Sequence, residues 1–143
     1  MTENHAVGRK KKIVLDTNFL LIPFQFNVDI FAELDRICDF NYKIYVLDKT
    51  IDELKNIEKE QKGLSKKAAA MALQLLAKNR GKVSILNIGK DYAKKQEDMY
   101  VDEIILGLEG FIVASTDKAL RQRLRLKGRQ TISLRAKKTL ILS

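Results

Sequence analysis

The chain has 143 residues and 45% hydrophobic content, enough for one core, with a formal net charge of +9 from 27 Lys and Arg against 18 Asp and Glu. Its single cysteine, Cys38, excludes an internal disulfide, a thiolate zinc site and a paired redox motif, and its single histidine, His5, removes the usual Ser-His and Cys-His mechanisms. The charge is clustered in a few segments, which points to a polyanionic partner and favours nucleic acid over a merely basic surface.

The segment Met1 to Lys12 lacks apolar periodicity and ends in Arg9-Lys10-Lys11-Lys12. It reads as a basic, flexible arm over residues 1–11 ahead of a single domain over 12–143, and Lys10, Lys11 and Lys12 are candidate phosphate contacts. No apolar region follows these charges as a signal peptide requires, and no stretch approaches the roughly 20 apolar residues that span a bilayer. The expectation is a soluble, cytoplasmic protein.

A first strand is expected at Lys12–Leu15, then an apolar turn with Pro23 and a helix near Val28–Asp39, where Phe31, Leu34 and Ile37 fall at helical spacing. Cys38 in this company reads as a small buried hydrophobe. A second strand is Tyr42–Leu47, followed by a helix from about Thr50 and, after Gly63, a longer one from Ser65 that stops at Gly81. The third strand is Lys82–Leu86. Residues 91–109 read as helical, ending at Gly110, with Val101, Ile104, Ile105 and Leu108 on one face. A fourth strand at Phe111–Ser115 precedes a basic helix at Lys118–Leu126 and a fifth strand near Gln130–Leu134. Arg135–Ser143 is open between an extra edge strand and a dimer contact. This alternation argues for an α/β fold with a parallel sheet covered by helices on both faces.

Asp16 closes the first strand, and Asp117 stands just beyond the fourth. In open α/β sheets such positions meet in the crevice at the carboxyl ends of the strands, where ligands bind. Each residue also fits a helix N-cap, which needs no chemistry. Glu53 follows the second strand, yet Thr50-Ile51-Asp52-Glu53 equally fits a capping box. Around the helix near 98–108, Asp98 and Asp102 fall within an otherwise apolar arc, a costly position unless a cation or a buried salt bridge compensates. Glu103 points the other way.

Together Asp16, Glu53, Asp102 and Asp117, with Asp98 as a further candidate, offer hard oxygen ligands suited to Mg²⁺ or Mn²⁺. Crowded like charges favour a metal that keeps them ionised. Such an ion could orient a water for attack on phosphorus without a histidine. Thr17, Asn18, Ser115 and Thr116 could hold waters or the carboxylates themselves, although turn and cap roles also explain them. Lys118, Arg121 and Arg125 follow Asp117, and Arg121 and Arg125 share a helix face, as RNA contacts or as a solvated helix end.

Four segments in order resemble the motifs of the PIN-domain ribonucleases: Val14-Leu15-Asp16-Thr17-Asn18, Thr50-Ile51-Asp52-Glu53-Leu54, Tyr100-Val101-Asp102-Glu103 and Val113-Ala114-Ser115-Thr116-Asp117. The similarity spans about residues 12 to 134. Met99 to Glu103 and Ala114 to Arg121 resemble the branch that includes ribosomal RNA-processing proteins of archaea and eukaryotes. The resemblance implies a Rossmann-like three-layer sandwich with about five parallel strands. It also implies Mg²⁺- or Mn²⁺-dependent cleavage of single-stranded RNA that leaves a 3′-hydroxyl and a 5′-phosphate. Asp16, Glu53, Asp102 and Asp117 would be its acidic set.

Pre-ribosomal RNA is then an expected substrate, ribosome-assembly proteins are expected partners, and an apolar helix surface or the C-terminal segment offers a homodimer contact. Two alternatives stand beside the RNA-maturation enzyme: the ribonuclease toxin of a toxin–antitoxin pair, and a non-catalytic RNA-binding assembly factor. A nucleotide-binding enzyme is disfavoured because neither G-x-G-x-x-G nor a P-loop occurs, and a response-regulator-like domain fits the motif order less well.

Overall fold

The computed structural model describes residues 9–88 and 101–143. Six strands form one sheet: β1 (Lys11–Leu15), β2 (Tyr42–Leu47), β3 (Val83–Leu86), β4 (Phe111–Ala114), β5 (Thr131–Arg135) and β6 (Thr139–Leu142). Their order is β3-β2-β1-β4-β5-β6, with the first five parallel and β6 antiparallel to β5. The strand order reverses between β1 and β4, and that switch point is where a crevice opens at the carboxyl ends of the strands.

The strands are paired deep in the protein, and their pleat divides the apolar residues between two faces. Ile13 and Leu15 of β1, with Ile112 and Ala114 of β4, enter one core. Val14 and Val113 enter the other. The first core is covered by α1 (Ile22–Phe26), α2 (Ile30–Ile37), α3 (Asp48–Glu60) and α4 (Leu64–Lys78). The second is covered by α5 (Val101–Gly107) and α6 (Lys118–Leu126), through Ile104, Ile105, Leu120 and Leu124. The result is the expected three-layer sandwich. Cys38 is a free, buried thiol in the first core, and burial pushes its pKa up.

The apolar turn after β1 is a 3-10 turn at Thr17–Leu21 running into α1, where Pro23 occupies the first turn and loses no helical hydrogen bond. The C-terminal segment resolves into an edge strand. The outward-facing groups of Leu140 are taken by α2: Glu33 Oε1 accepts from Leu140 N at 2.9 Å, and Arg36 Nη2 donates to Leu140 O at 3.0 Å. Arg36 also pairs with Glu33 at 2.8 Å, which occupies the free edge that would otherwise invite another strand.

Arg129 was not singled out by any sequence pattern, yet it ties the second layer together. Its Nη1 donates to Ile105 O at 3.2 Å and Leu106 O at 3.1 Å in the last turn of α5, where Ile105 O also accepts from Leu108 N at 3.1 Å. Hydrogen bonds to a charged donor contribute about 1.5–3 kcal/mol each. Arg129→Ala is therefore expected to lower stability by about 2 kcal/mol, read as a lower denaturation midpoint with an unchanged slope. An unchanged midpoint would show that these contacts contribute nothing net.

Candidate active site

Asp16 is 5% exposed at the end of the central strand, and its backbone N–H donates to Ala114 O at 2.9 Å, which locks β1 to β4 at the switch point. Both carboxylate oxygens are engaged. Oδ1 accepts from Thr17 N at 2.9 Å and Oδ2 from the Ser115 hydroxyl at 2.7 Å. The cap and the functional site are thus the same residue: Asp16 is the N-cap of the 3-10 turn and also faces the crevice.

The capping-box reading of Glu53 does not hold. The helix begins at Asp48, so Thr50 lies inside its first turn and is fully buried. Glu53 Oε1 instead accepts from Thr17 Oγ1 at 2.6 Å, while Thr17 Oγ1 lies 3.3 Å from Thr50 Oγ1. Thr17 therefore orients Glu53 with its side chain and Asp16 with its backbone. Neighbouring motifs named Thr17, but its partner 36 positions away had no local signature.

Asp117 caps α6 by accepting from Leu120 N at 3.1 Å, and its own N–H donates to Ser115 Oγ at 3.0 Å. Asn18 Oδ1 accepts from Thr116 N at 3.0 Å, so the loops after β1 and β4 are stitched together. Asp102 is half-buried in the first turn of α5, and Glu103 beside it is exposed, as the helical arc requires. Asp98 lies outside the described residues.

A concavity of about 440 Å³ is lined by Asp16, Asn18, Glu53, Asp102 and Asp117 together with apolar Leu21, Ile57 and Val101. All four carboxylates of the expected set meet there. The apolar lining was missed by sequence reading, although Ile57 stands one helical turn after Glu53 on α3 and was open to inference. Among the described residues the ion pair is that of Arg36 with Glu33, so the salt-bridge alternative for Asp102 finds no support there.

Burial above all, then repulsion from Asp102 and Asp117, pushes the Asp16 carboxyl above its ordinary pKa, against the hydrogen bonds from Ser115 and Thr17. Burial likewise raises Glu53, with Asp16 and Asp102 adding to it and Thr17 and Lys49 opposing. Buried, neighbouring carboxyls of this kind are stabilised in their charged form by a nearby cation. Among the described residues no three carboxylates stand close enough to hold an ion unaided. The donor set nonetheless fits a hard divalent cation, because Mg²⁺ retains several waters and needs only one or two carboxylates directly.

Arg121 Nη1 donates to Ser115 O at 3.0 Å while its Nε is enclosed without a protein partner. Burial pushes its pKa down, and Arg125 adds to this while Asp117 opposes it. Arg121 thus clamps the turn that carries Ser115 and Asp117, whereas Lys118 and Arg125 are exposed. Lys10, Lys11 and Lys12 sit at the opposite edge of the sheet. Lys11 belongs to β1 rather than to an arm, with its ammonium 4.6 Å from the Phe40 ring, and Lys12 lies 5.2 Å from that of Phe111.

A family model described as PIN like domain matches residues 13–137. The chain belongs to the PIN-like domain family. A curated relative, Ribonuclease VapC4 of Methanocaldococcus jannaschii, is 32% identical over 133 residues, covering 89% of this chain and 92% of its own. Among solved structures, the PIN domain endonuclease Utp24 superposes with a TM-score of 0.70 at 20% identity, over 92% of this chain and 90% of that one. At that identity the likeness establishes a shared PIN fold. The acidic concavity of this PIN-like domain lies at its β1/β4 switch point.

Ser115 is the hinge of the polar network, donating to Asp16 and accepting from Asp117 N. Groups that orient carboxylates from behind are worth about 10–100-fold in metal affinity or activity. Ser115→Ala is expected to cost RNA cleavage a loss in that range, with RNA binding in EDTA unchanged. Full activity in the variant would reassign Ser115 to the turn alone.

Proposed function

We propose that this chain is a Mg²⁺- or Mn²⁺-dependent endoribonuclease that hydrolyses phosphodiester bonds in single-stranded RNA, in RNA maturation. The observation that carries the reading is the meeting of Asp16, Glu53, Asp102 and Asp117 in one concavity, with Asp16 and Glu53 raised by burial and then by neighbouring carboxylates. The ribonuclease named above, aligned over most of both chains, supports RNA cleavage as the chemistry.

A divalent ion held in this concavity by one or two of the carboxylates directly and by the others through water would supply activation of the attacking water and neutralisation of the charge developing on the phosphate. The chain's own residues do the rest. Ser115 and Thr17 N fix both oxygens of Asp16, and Thr17 Oγ1 fixes Glu53. Arg121 holds the turn bearing Asp117, and the exposed Lys118 and Arg125 offer contacts to flanking phosphates. A toxin would use the same chemistry, so cleavage is the part of the reading that the site supports directly.

The test is cleavage of a labelled single-stranded RNA in Mn²⁺, Mg²⁺ or EDTA by the wild type and Asp117→Asn. Ion-dependent cutting that is lost in the variant is expected. Binding without cutting, indifferent to the substitution, would leave a non-catalytic RNA-binding assembly factor.

A further inference from the structure

A second concavity, of about 710 Å³, opens beside the acidic one between α1, α3 and α4. Leu21 and Ile57 line both, so the two are continuous. Its walls follow from helical spacing. Glu53 and Ile57 lie one turn apart on α3 and Gln61 follows four residues on at its C-cap, leading about 12 Å along the helix from the acidic site. On the other side Asn18, Leu21 and Phe24 recur every three residues through the 3-10 turn into α1.

The surface so formed is of mixed chemistry. Phe24 is half-buried and Leu64 is 75% exposed, giving aromatic and aliphatic faces open to a ligand. Gln25 and Gln61 are exposed carboxamides, each carrying both donors and an acceptor. Nearby along the chain, Lys62 precedes α4 and Lys66 and Lys67 lie in its first turn, all three exposed and none of them lining the groove.

We propose that this groove is the nucleobase subsite of the nuclease. The base of a nucleotide adjoining the scissile phosphate lies against Phe24 and Leu64, and its edge is read by Gln25 and Gln61. The inference rests on the ribonuclease reading and adds where the substrate's bases go. Unstacked bases are recognised by this combination of ring faces and amide edges.

The experiment is fluorescence anisotropy in EDTA, where no cleavage is needed, with labelled oligo(A), oligo(C), oligo(U) and an abasic oligomer. Wild type is compared with Gln25→Ala/Gln61→Ala, whose side chains are exposed, and with the conservative Phe24→Leu. The wild type is expected to bind base-bearing RNA more tightly than abasic RNA and to rank the bases. The double variant should lose about ten-fold in affinity for its preferred oligomer and level the ranking, with abasic binding unchanged. Equal affinities across all oligomers and variants overturn the subsite.

Cleavage in Mn²⁺ by the wild type is scored separately. Cutting with no dependence on the groove defeats the subsite and spares the nuclease. Groove-dependent, base-ranked binding without cutting keeps the subsite and defeats the nuclease. A dimer in light scattering that Leu64→Asp converts to monomer would assign the groove to a second copy of the chain and overturn the proposal.

Discussion

Asp16→Asn is expected to reduce RNA cleavage by about a thousand-fold or more, while the metal-free protein at neutral pH melts no lower than the wild type. The two halves of this result have separate causes. Asparagine keeps an acceptor for Thr17 N or the Ser115 hydroxyl, so the turn after β1 survives. It removes a buried negative charge that Asp102 and Asp117 repel, which relieves the folded state. What disappears is the central anionic ligand at the β1/β4 switch point. Single-turnover cleavage and a thermal melt on the same preparation read both halves. Retained cutting would remove Asp16 from the chemistry, and a large drop in melting temperature would make it a structural cap first.

The second large effect is a linkage between pH and divalent ions. Asp16 and Glu53 both have folded-state pKa values raised above the ordinary 3.8 and 4.5. The folded protein therefore binds more protons at these groups than the unfolded chain does. Their stabilising contribution is complete below those ordinary values and is lost as pH rises through the raised ones. In EDTA, the melting-temperature difference between wild type and Asp16→Asn/Glu53→Gln should thus move against the wild type from pH 4 to pH 7. Mn²⁺ should reverse this at pH 7, because an ion that binds only the folded state at a hundred times its Kd adds about 2.7 kcal/mol, or about 10 °C in a domain of this size. Its effect should fade as the pH falls and protons compete for the same oxygens. A melting temperature that ignores Mn²⁺ at pH 7 in the wild type would separate the acidic cluster from metal binding.

Local periodicity made most of the architecture legible. Tyr42–Leu47 and Lys118–Leu126 were located to the residue, because each combines a clear apolar pattern with punctuating neighbours. The C-terminal stretch was left open because an edge strand is decided by its partners, here β5 and the Glu33–Arg36 pair on α2. At the site, the acids at strand ends could be read from the chain, whereas their hydrogen-bonding partners could not. Thr17 with Glu53 and Ser115 with Asp16 join residues 36 and 99 positions apart. Thr50 was misread for a similar reason, since the capping-box pattern is satisfied by spacing alone and only the helix start at Asp48 rules it out. The lysines before β1 illustrate a different limit: composition reveals an excess of positive charge, but strand direction decides which end of the sheet receives it.

The reversal of strand order also divides the chain's chemistry. Residues up to β3 build one side of the sheet and supply Asp16 and Glu53, while those from α5 onward build the other and supply Asp102 and Asp117. Neither side carries more than half of this acidic set. On the ribonuclease reading, catalysis therefore reports the docking of β1 against β4, and a molecule folded on one side only is harmless to RNA. The same seam makes the domain a natural split reporter, in which two separately produced halves would regain cleavage only on reassociation.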